Sequence, residues 1–391
     1  MSLRFLTAGE SHGPALTLIV EGLPAGVAVE RAEIDRDLLR RMGGYGRGGR
    51  MKIESDQVEF LGGVRFGRTL GSPVSLLIRN KDFANWTEPM AVEGPHPGPE
   101  RAIAVTRPRP GHADLAGSLK YGTHDARDIL ERSSARETAA RTAAGALARS
   151  LLRAVGIEVT SHTVSVGNAP ARELAEGDFD TLLAMPDDAP LRCVDEPACR
   201  AMIGEIEAAR RGGDSIGGVF EVLARGVPPG LGSHVHWDRR LDGRLGGAIL
   251  SIQAVKAASI GEGIESATRH GSEQHDPIHY DRERHVFSRP TNRAGGIEGG
   301  MSNGEMLRVR GYLKPLATLP KALPSVDLVN KIPFEAAVER TDTIPIVAAG
   351  VVGEAMMCWI LADELLIKFG GDRLEETSRN LAAYRESLSS F

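Results

Sequence analysis

Cysteine is scarce in this 391-residue chain, with only Cys193, Cys199 and Cys358. An odd number without paired spacing excludes a disulfide framework and supplies no structural-zinc pattern. The first ten residues, Met1 to Glu10, lack the apolar core of a signal peptide. No long uninterrupted apolar run is present. The most apolar stretch, 344–369, carries Glu354 and Asp363 and reads as a buried helix, so no membrane span is expected and a cytoplasmic location is. Excess positive charge is missing too. Lys and Arg number 47 against 52 Asp and Glu, a net charge of −5, which argues against a general nucleic-acid binder. A Ser-His-Asp order, a cysteine nucleophile and a Walker loop are all absent.

Lysine is rare among the basic residues: eight of the 47 are Lys, leaving 39 Arg. Glycine is abundant, 46 residues or about 12% against a usual ~7%. Genomic base composition explains both, as does a set of guanidinium forks gripping a polyanion beside closely approached backbone. Hydrophobic residues at 41% suffice for a sizeable core. The length fits two or three domains, or one large α+β domain with two lobes.

Apolar spacing predicts strands at 3–7, 15–20, 51–60, 73–78, 158–166, 218–224 and 307–313. Helical periods cover 30–42, 133–155, 196–211, 238–258 (interrupted by glycine), 355–369 and 374–388. Residues 80–99 read as a long surface loop, a lid or a subunit contact. Glu21–Gly26 (EGLPAG) resembles Arg225–Gly230 (RGVPPG); each follows a strand and precedes a helix opening on Asp-Arg. This weak repeat suggests two related lobes of antiparallel sheet with helices packed beside them.

Four segments concentrate polar groups that a core would not select. Gly9-Glu-Ser-His-Gly13 allows a tight turn presenting Ser11 and His12, although an ordinary strand-exit turn explains it equally. Residues 40–50 (RRMGGYGRGGR) formally contain G-x-G-x-x-G. A helix precedes and a strand follows, so the dinucleotide context is missing. An anion-binding loop using Arg41 and Arg47 is preferred, with an RNA-binding module through 43–50 as the alternative. In Thr106-Arg-Pro-Arg-Pro-Gly-His-Ala-Asp114, alternating prolines hold Arg109 and His112 on extended backbone. Glu131-Arg-Ser-Ser-Ala-Arg-Glu-Thr138 opens a helix with Ser133 or Ser134 as N-cap. Arg132 and Arg136 are disfavoured at that end unless an anion sits there. The glycine-rich run 295–304 and Asp342 are weaker candidates. His234, His236, His275, His279 and His285 lack the carboxylate or cysteine spacing of a metal site, and none is expected. The residues together suggest a small-molecule enzyme with a polyanionic substrate and two histidine proton donors.

Gly9–Gly13, Gly43–Met51, Arg109–Asp114, Arg132–Thr138 and Arg340–Asp342, in that order along the whole chain, resemble the chorismate synthase family. The resemblance implies a fold: one domain, a sandwich of two antiparallel four-stranded sheets around a helical layer, with lobes at roughly 1–155 and 156–391. It implies a lyase that converts 5-enolpyruvylshikimate 3-phosphate to chorismate and phosphate by 1,4-anti elimination. Reduced FMN would be required without net redox change, in the shikimate pathway to aromatic amino acids. Carried over by position, His12, Arg41, Arg47, Arg109 and Arg136 would hold the substrate. His12 would be the general acid and His112 would serve the reduced flavin. Asp342, Ser11 and Ser134 would relay protons. Flavin contacts would fall on Arg132, Ser133, Ser134, Gln253, Ala254, Gly299, Lys314, Pro315, Leu316, Ala317, Thr318 and Arg340. A homotetramer and an external flavin reductase are implied, with NADPH serving only indirectly. A nicotinamide-nucleotide role for Arg41 and Arg47 stays open.

Overall fold

A computed structural model describes residues 2–48, 56–94, 104–175, 177–283, 285–338 and 341–391. The first sheet contains β1 (Arg4–Ala8), β2 (Ala15–Glu21), β3 (Val58–Gly62) and β4 (Val74–Arg79), in the order β1-β2-β4-β3, antiparallel throughout. In β2, Leu16, Leu18 and Val20 are buried while Thr17 and Ile19 face outward, the period-two pattern of a half-buried strand. The second sheet contains β5 (Glu158–Val166), β6 (Ala169–Pro170), β7 (Gly218–Arg225), β8 (Val255–Ile260) and β9 (Leu307–Leu313). Its order is β8-β9-β7-β5-β6, again antiparallel. The expectation of four strands is therefore corrected to five, because the chain after β5 folds back for the two-residue strand β6.

Besides short helices at Asp178–Ala184 and Gly271–Gln274, the described residues form α1 (Arg31–Met42), α2 (Asp114–Tyr121), α3 (Arg127–Ser133), α4 (Thr138–Ala154), α5 (Glu196–Arg211), α6 (Leu241–Leu250), α7 (Ile346–Phe369) and α8 (Leu374–Ser389). Helices α4 and α7 pack along each other. Helix α4 also touches β1 and β2, α7 lies on β5 and β7, and α1 contacts both helices. Helix α7 is long and apolar enough to cross a membrane by length and composition, yet its apolar window is wholly buried inside the protein. A helix apolar on every side belongs in such a core. Its charges are matched there: Glu354 accepts from Arg40, Arg149 and Ser161. Asp363 accepts from Leu3 N at 2.7 Å, pinning the start of β1.

Three expected elements change. The helix predicted over 133–155 starts later, at Thr138, and a separate helix α3 ends at Ser133. Ser134 adopts extended backbone, its Oγ accepts from Arg136 N, and a 3-10 turn at Ala135–Glu137 leads into α4. The side-chain bond competes with the helical ladder and breaks it. The helix predicted over 238–258 stops at Leu250. Ala254 turns left-handed at φ 67°, and β8 then pairs with β9. The loop at 80–99 begins with a 3-10 turn, Lys81–Asn85, capped by Asn80; residues 95–99 lie outside the described residues, as do 51–55 of the predicted strand.

Candidate active site

The turn after β1, the start of α2, the α3–α4 break and the strand-exit segments of the second sheet surround one cavity of about 870 Å³. Small-molecule sites span roughly 300–1,000 Å³. Its lining brings together Ser11, His12, Arg109, His112, Ser133, Ser134, Gln253, Ala254, Lys314, Leu316, Ala317 and Thr318 from the predicted set.

His12 is fixed from two sides. Its Nδ1 lies 2.9 Å from Glu131 Oε1, and its backbone N donates to Glu131 Oε2 at 2.9 Å. Its ring stacks on Trp86 with centroids 3.8 Å apart. Arg127 covers the other face of the arrangement, donating to Glu131 at 3.1 Å with its guanidinium 5.1 Å from the Trp86 ring. Burial pushes the Glu131 carboxyl up, but the bonds from His12 and the nearby Arg127 outweigh it and hold the group below its usual range. An ionised Glu131 only accepts, so His12 carries its proton on Nδ1 and leaves Nε2 for a ligand.

His112 repeats this logic. Its Nδ1 lies 2.5 Å from Asp114 Oδ1, and Arg109 grips the same carboxylate through Nε at 2.8 Å and Nη2 at 3.1 Å. Burial opposes ionisation of Asp114; the bond from His112 and the Arg109 guanidinium overcome it and hold the carboxyl well below its ordinary value. Nε2 of His112 is again the nitrogen left for a ligand. Arg109 Nη1 reaches Thr318 Oγ1 at 3.0 Å, and Lys314 Nζ reaches Gly111 O at 2.6 Å. Two bonds therefore tie the 109–114 segment to the strand-exit segment 314–318.

The remaining predicted residues stand outside this lining. Arg41 and Arg136 converge on buried Asp56, at 3.1 and 2.5 Å. Burial raises the Asp56 carboxyl, and the two guanidiniums bring it below normal. Asp342 accepts from Gly48 N at 2.6 Å and lies 3.3 Å from Arg47 Nε, while its neighbour Thr341 is on the cavity wall. Gly44 and Gly46, at φ 98° and 93°, let this loop press onto Val347 and Ile344. Residues 43–48 are thus built into the protein, which leaves the RNA-binding alternative without a free basic loop in the described part of that segment. Arg132 donates to Thr7 O and Gly9 O along β1. Pro315 abuts Gly217, and Gly299 sits in a hairpin turn with Gly300, which packs on Arg240. Arg340 lies outside the described residues.

Sequence reasoning missed Glu131, Asp114 and Trp86. The two carboxylates bound the quoted segments, and their spacing from the histidines was the available signal for Asp114. Nothing in the sequence pairs Trp86 or Glu131 with His12, because the contacts are long-range.

A family model described as chorismate synthase matches residues 3–366. Relatives named chorismate synthase come from Desulforudis audaxviator, 56% identical over 99% of this chain and 98% of the relative, and Solibacter usitatus, 54% identical over 100% of both. A solved structure titled as a crystal structure of chorismate synthase matches with TM-score 0.79 and 39% identity, covering 100% of this chain and 99% of that one. Matches of this identity, running end to end through the segments that line the cavity, establish that the chain belongs to the chorismate synthase family, lyases of aromatic amino-acid biosynthesis.

Proposed function

We propose that this enzyme converts 5-enolpyruvylshikimate 3-phosphate to chorismate and phosphate by 1,4-anti elimination, using reduced FMN. One observation carries the reading. Two imidazoles share a cavity, each with Nδ1 held by a buried carboxylate and Nε2 left for ligands. His12, its ring held through Nδ1 by Glu131, is the general acid that delivers a proton from Nε2 to the departing phosphate. Arg109 and Lys314 supply the cationic wall for substrate anions, Arg109 held in place by Asp114 and Thr318. Arg41, Arg47 and Arg136 add positive field from outside the lining, held in place by Asp56 and Asp342.

The wall fits a flavin. Gln253 donates to Glu137 through Nε2, while its Oε1 is buried without a protein partner, an acceptor suited to a ring N–H. Ser133, Ser134 and the backbone of Ala254 and 314–318 offer further polar contacts beside apolar Leu316 and Ala317. Reduced FMN, when bound, supplies reversible electron donation with no net redox change. His112 would meet it through Nε2, and Ser11 and Ser134 on the wall, with Asp342 behind it, would hold the path by which the substrate hydrogen leaves.

In this reading the chain is one domain with two related lobes, 1–155 and 156–391, in a sandwich around α1, α4 and α7. Its support is the matching order of the halves: β1-β2-β4-β3 in one and β5-β7-β9-β8 in the other. The enzyme works in the cytoplasm as a homotetramer, its flavin reduced by an external reductase at the expense of NADPH. The test is anaerobic: protein, substrate and FMN with and without dithionite, following chorismate absorbance and phosphate. Product only with reduced FMN supports the assignment; no product from folded protein with excess reduced flavin overturns it.

A further inference from the structure

Glu137 closes the 3-10 turn that leads into α4 and is buried, one step behind the wall that Ser134 and Ala135 give to the active cavity. Both of its oxygens are occupied. Oε1 accepts from Thr7 Oγ1 at 3.2 Å and Arg141 Nε at 3.0 Å; Oε2 accepts from the same Nε at 2.9 Å and from Gln253 Nε2 at 3.3 Å. Thr7 is turned toward it by Arg132, whose Nη2 donates to the Thr7 hydroxyl oxygen at 2.7 Å. Arg141 is steadied by Ser251, donating to its O and Oγ at 3.2 and 2.8 Å. The chain at Gln253 is fixed as well: the next residue, Ala254, is left-handed at φ 67°, and its carbonyl accepts from Lys314 N at 2.9 Å.

A carboxylate gripped by a guanidinium accepts and does not donate. The Gln253 amide has a donor end and an acceptor end, so it meets Glu137 through Nε2. Turned over, it would set Oε1 against a carboxylate oxygen. Oε1 is therefore the end left over. It is buried without a partner among the described residues, on a side chain that lines the cavity, and a buried acceptor without a donor is costly. We propose that Glu137 is a positioning residue for the cofactor: it locks the Gln253 amide with its acceptor end reserved for a ligand, and so selects a ring that brings an N–H to that place. The inference rests on the flavin reading and deepens it with a residue that touches neither cofactor nor substrate. An isoalloxazine ring meets the demand, with an N–H at N3 in both redox states and a second at N5 once reduced. Glu137 also joins the two halves of the chain at this point, since Thr7 and Arg141 belong to the first and Gln253 to the second.

Equilibrium dialysis of the whole protein against FMN, oxidised and then reduced under anaerobic conditions, tests this without turnover. Glu137→Gln releases the lock, because an amide at 137 can present either end, and should raise the Kd for FMN roughly tenfold. Gln253→Met removes the acceptor and should raise it by a similar factor. The two losses should not add: in the Gln253→Met background, Glu137→Gln should change Kd by less than about twofold. Exchanging the pair, Glu137→Gln with Gln253→Glu, keeps a hydrogen bond between the two side chains and an acceptor for the ring, and should recover most of the affinity. A native Kd in Glu137→Gln would overturn the proposal. So would additive losses with no recovery in the exchanged pair, which would leave Glu137 as a structural partner of Arg141 alone. Gln253→Met leaves Glu137 and Arg141 in place, so it decides the matter even where Glu137→Gln does not fold: a native Kd there also overturns the proposal. A folded native protein that binds FMN in neither redox state would instead overturn the flavin reading beneath it.

Discussion

Replacing Glu131 by Gln isolates what the carboxylate does for His12. The side chain keeps its shape and its buried place, so packing is preserved. What changes is charge and acceptor capacity. Glu131 accepts from the His12 backbone N and Nδ1, both at 2.9 Å, and from Arg127 at 3.1 Å. A glutamine offers a single acceptor oxygen, so at least one of these donors is left unmatched. Hydrogen bonds to a charged partner contribute roughly 1.5–3 kcal/mol. Losing one of that worth from the His12 site, where the ring must be held in the transition state, lowers kcat by roughly 10–150-fold. KM should move far less than kcat, because Arg109 and Lys314 are untouched. The assay is anaerobic chorismate formation with reduced FMN across pH, with Glu131→Asp as partial rescue. A native kcat in Glu131→Gln would show that the carboxylate only props up the turn and does not serve the acid.

Three further outcomes are expected. His12→Ala and His112→Ala should each lower turnover roughly 10²–10⁴-fold in that assay, and native rates in both would remove them from the chemistry. Gly145→Ala in α4 should destabilise by about 1–3 kcal/mol, since the new Cβ would sit 2.3 Å from Ala355 of α7; a raised urea midpoint would mean that helix propensity outweighs the close approach. Glu221 is buried, which opposes ionisation, but the bond from His162 and the guanidiniums of Arg308 and Arg310 bring it from 4.5 down to about 2. A carboxyl lowered by folding stabilises above its unfolded value and loses that contribution as pH falls through the folded one. About 3 kcal/mol should therefore vanish between pH 4.5 and about 2. Glu221→Gln should flatten that acid limb in unfolding measurements; an unchanged limb would refute the linkage.

Strands β1, β2, β4, β5 and β7 were legible because alternation and flanking glycines are local signals. So were α1, α5 and α8, whose apolar faces repeat at helical spacing. Helix α7, Ile346–Phe369, was legible as the buried apolar stretch 344–369, while a helical period showed only from Ala355; a helix buried all round has no polar face to mark its start. Strand β8 hid inside a glycine-rich helical pattern, because only pairing with β9 makes it a strand. The cavity lining was legible where a segment carries its own geometry, as in 109–114. It was illegible where a partner arrives from far away, as Trp86 does at His12. The buried arginines divided the same way: composition showed their excess, and only the fold shows that Arg41 and Arg136 answer to Asp56.

Both halves of the chain supply walls of the one cavity. Ser11, His12, Arg109, His112 and Ser134 come from the first, and Gln253, Ala254, Lys314–Thr318 and Thr341 from the second. Helix α4 begins just after Ser134, and α7 begins just after Thr341. The close packing of these two helices, with Gly145 against Ala355, therefore sets the distance between the two walls as well as filling the core. Two bonds, Arg109 to Thr318 and Lys314 to Gly111, cross the same seam. Neither half holds a complete site, so a substitution that spreads α4 from α7 should reduce activity before it unfolds the protein. The imidazoles would keep their carboxylates, which lie in the first half with them, while Lys314 and Gln253 drew away.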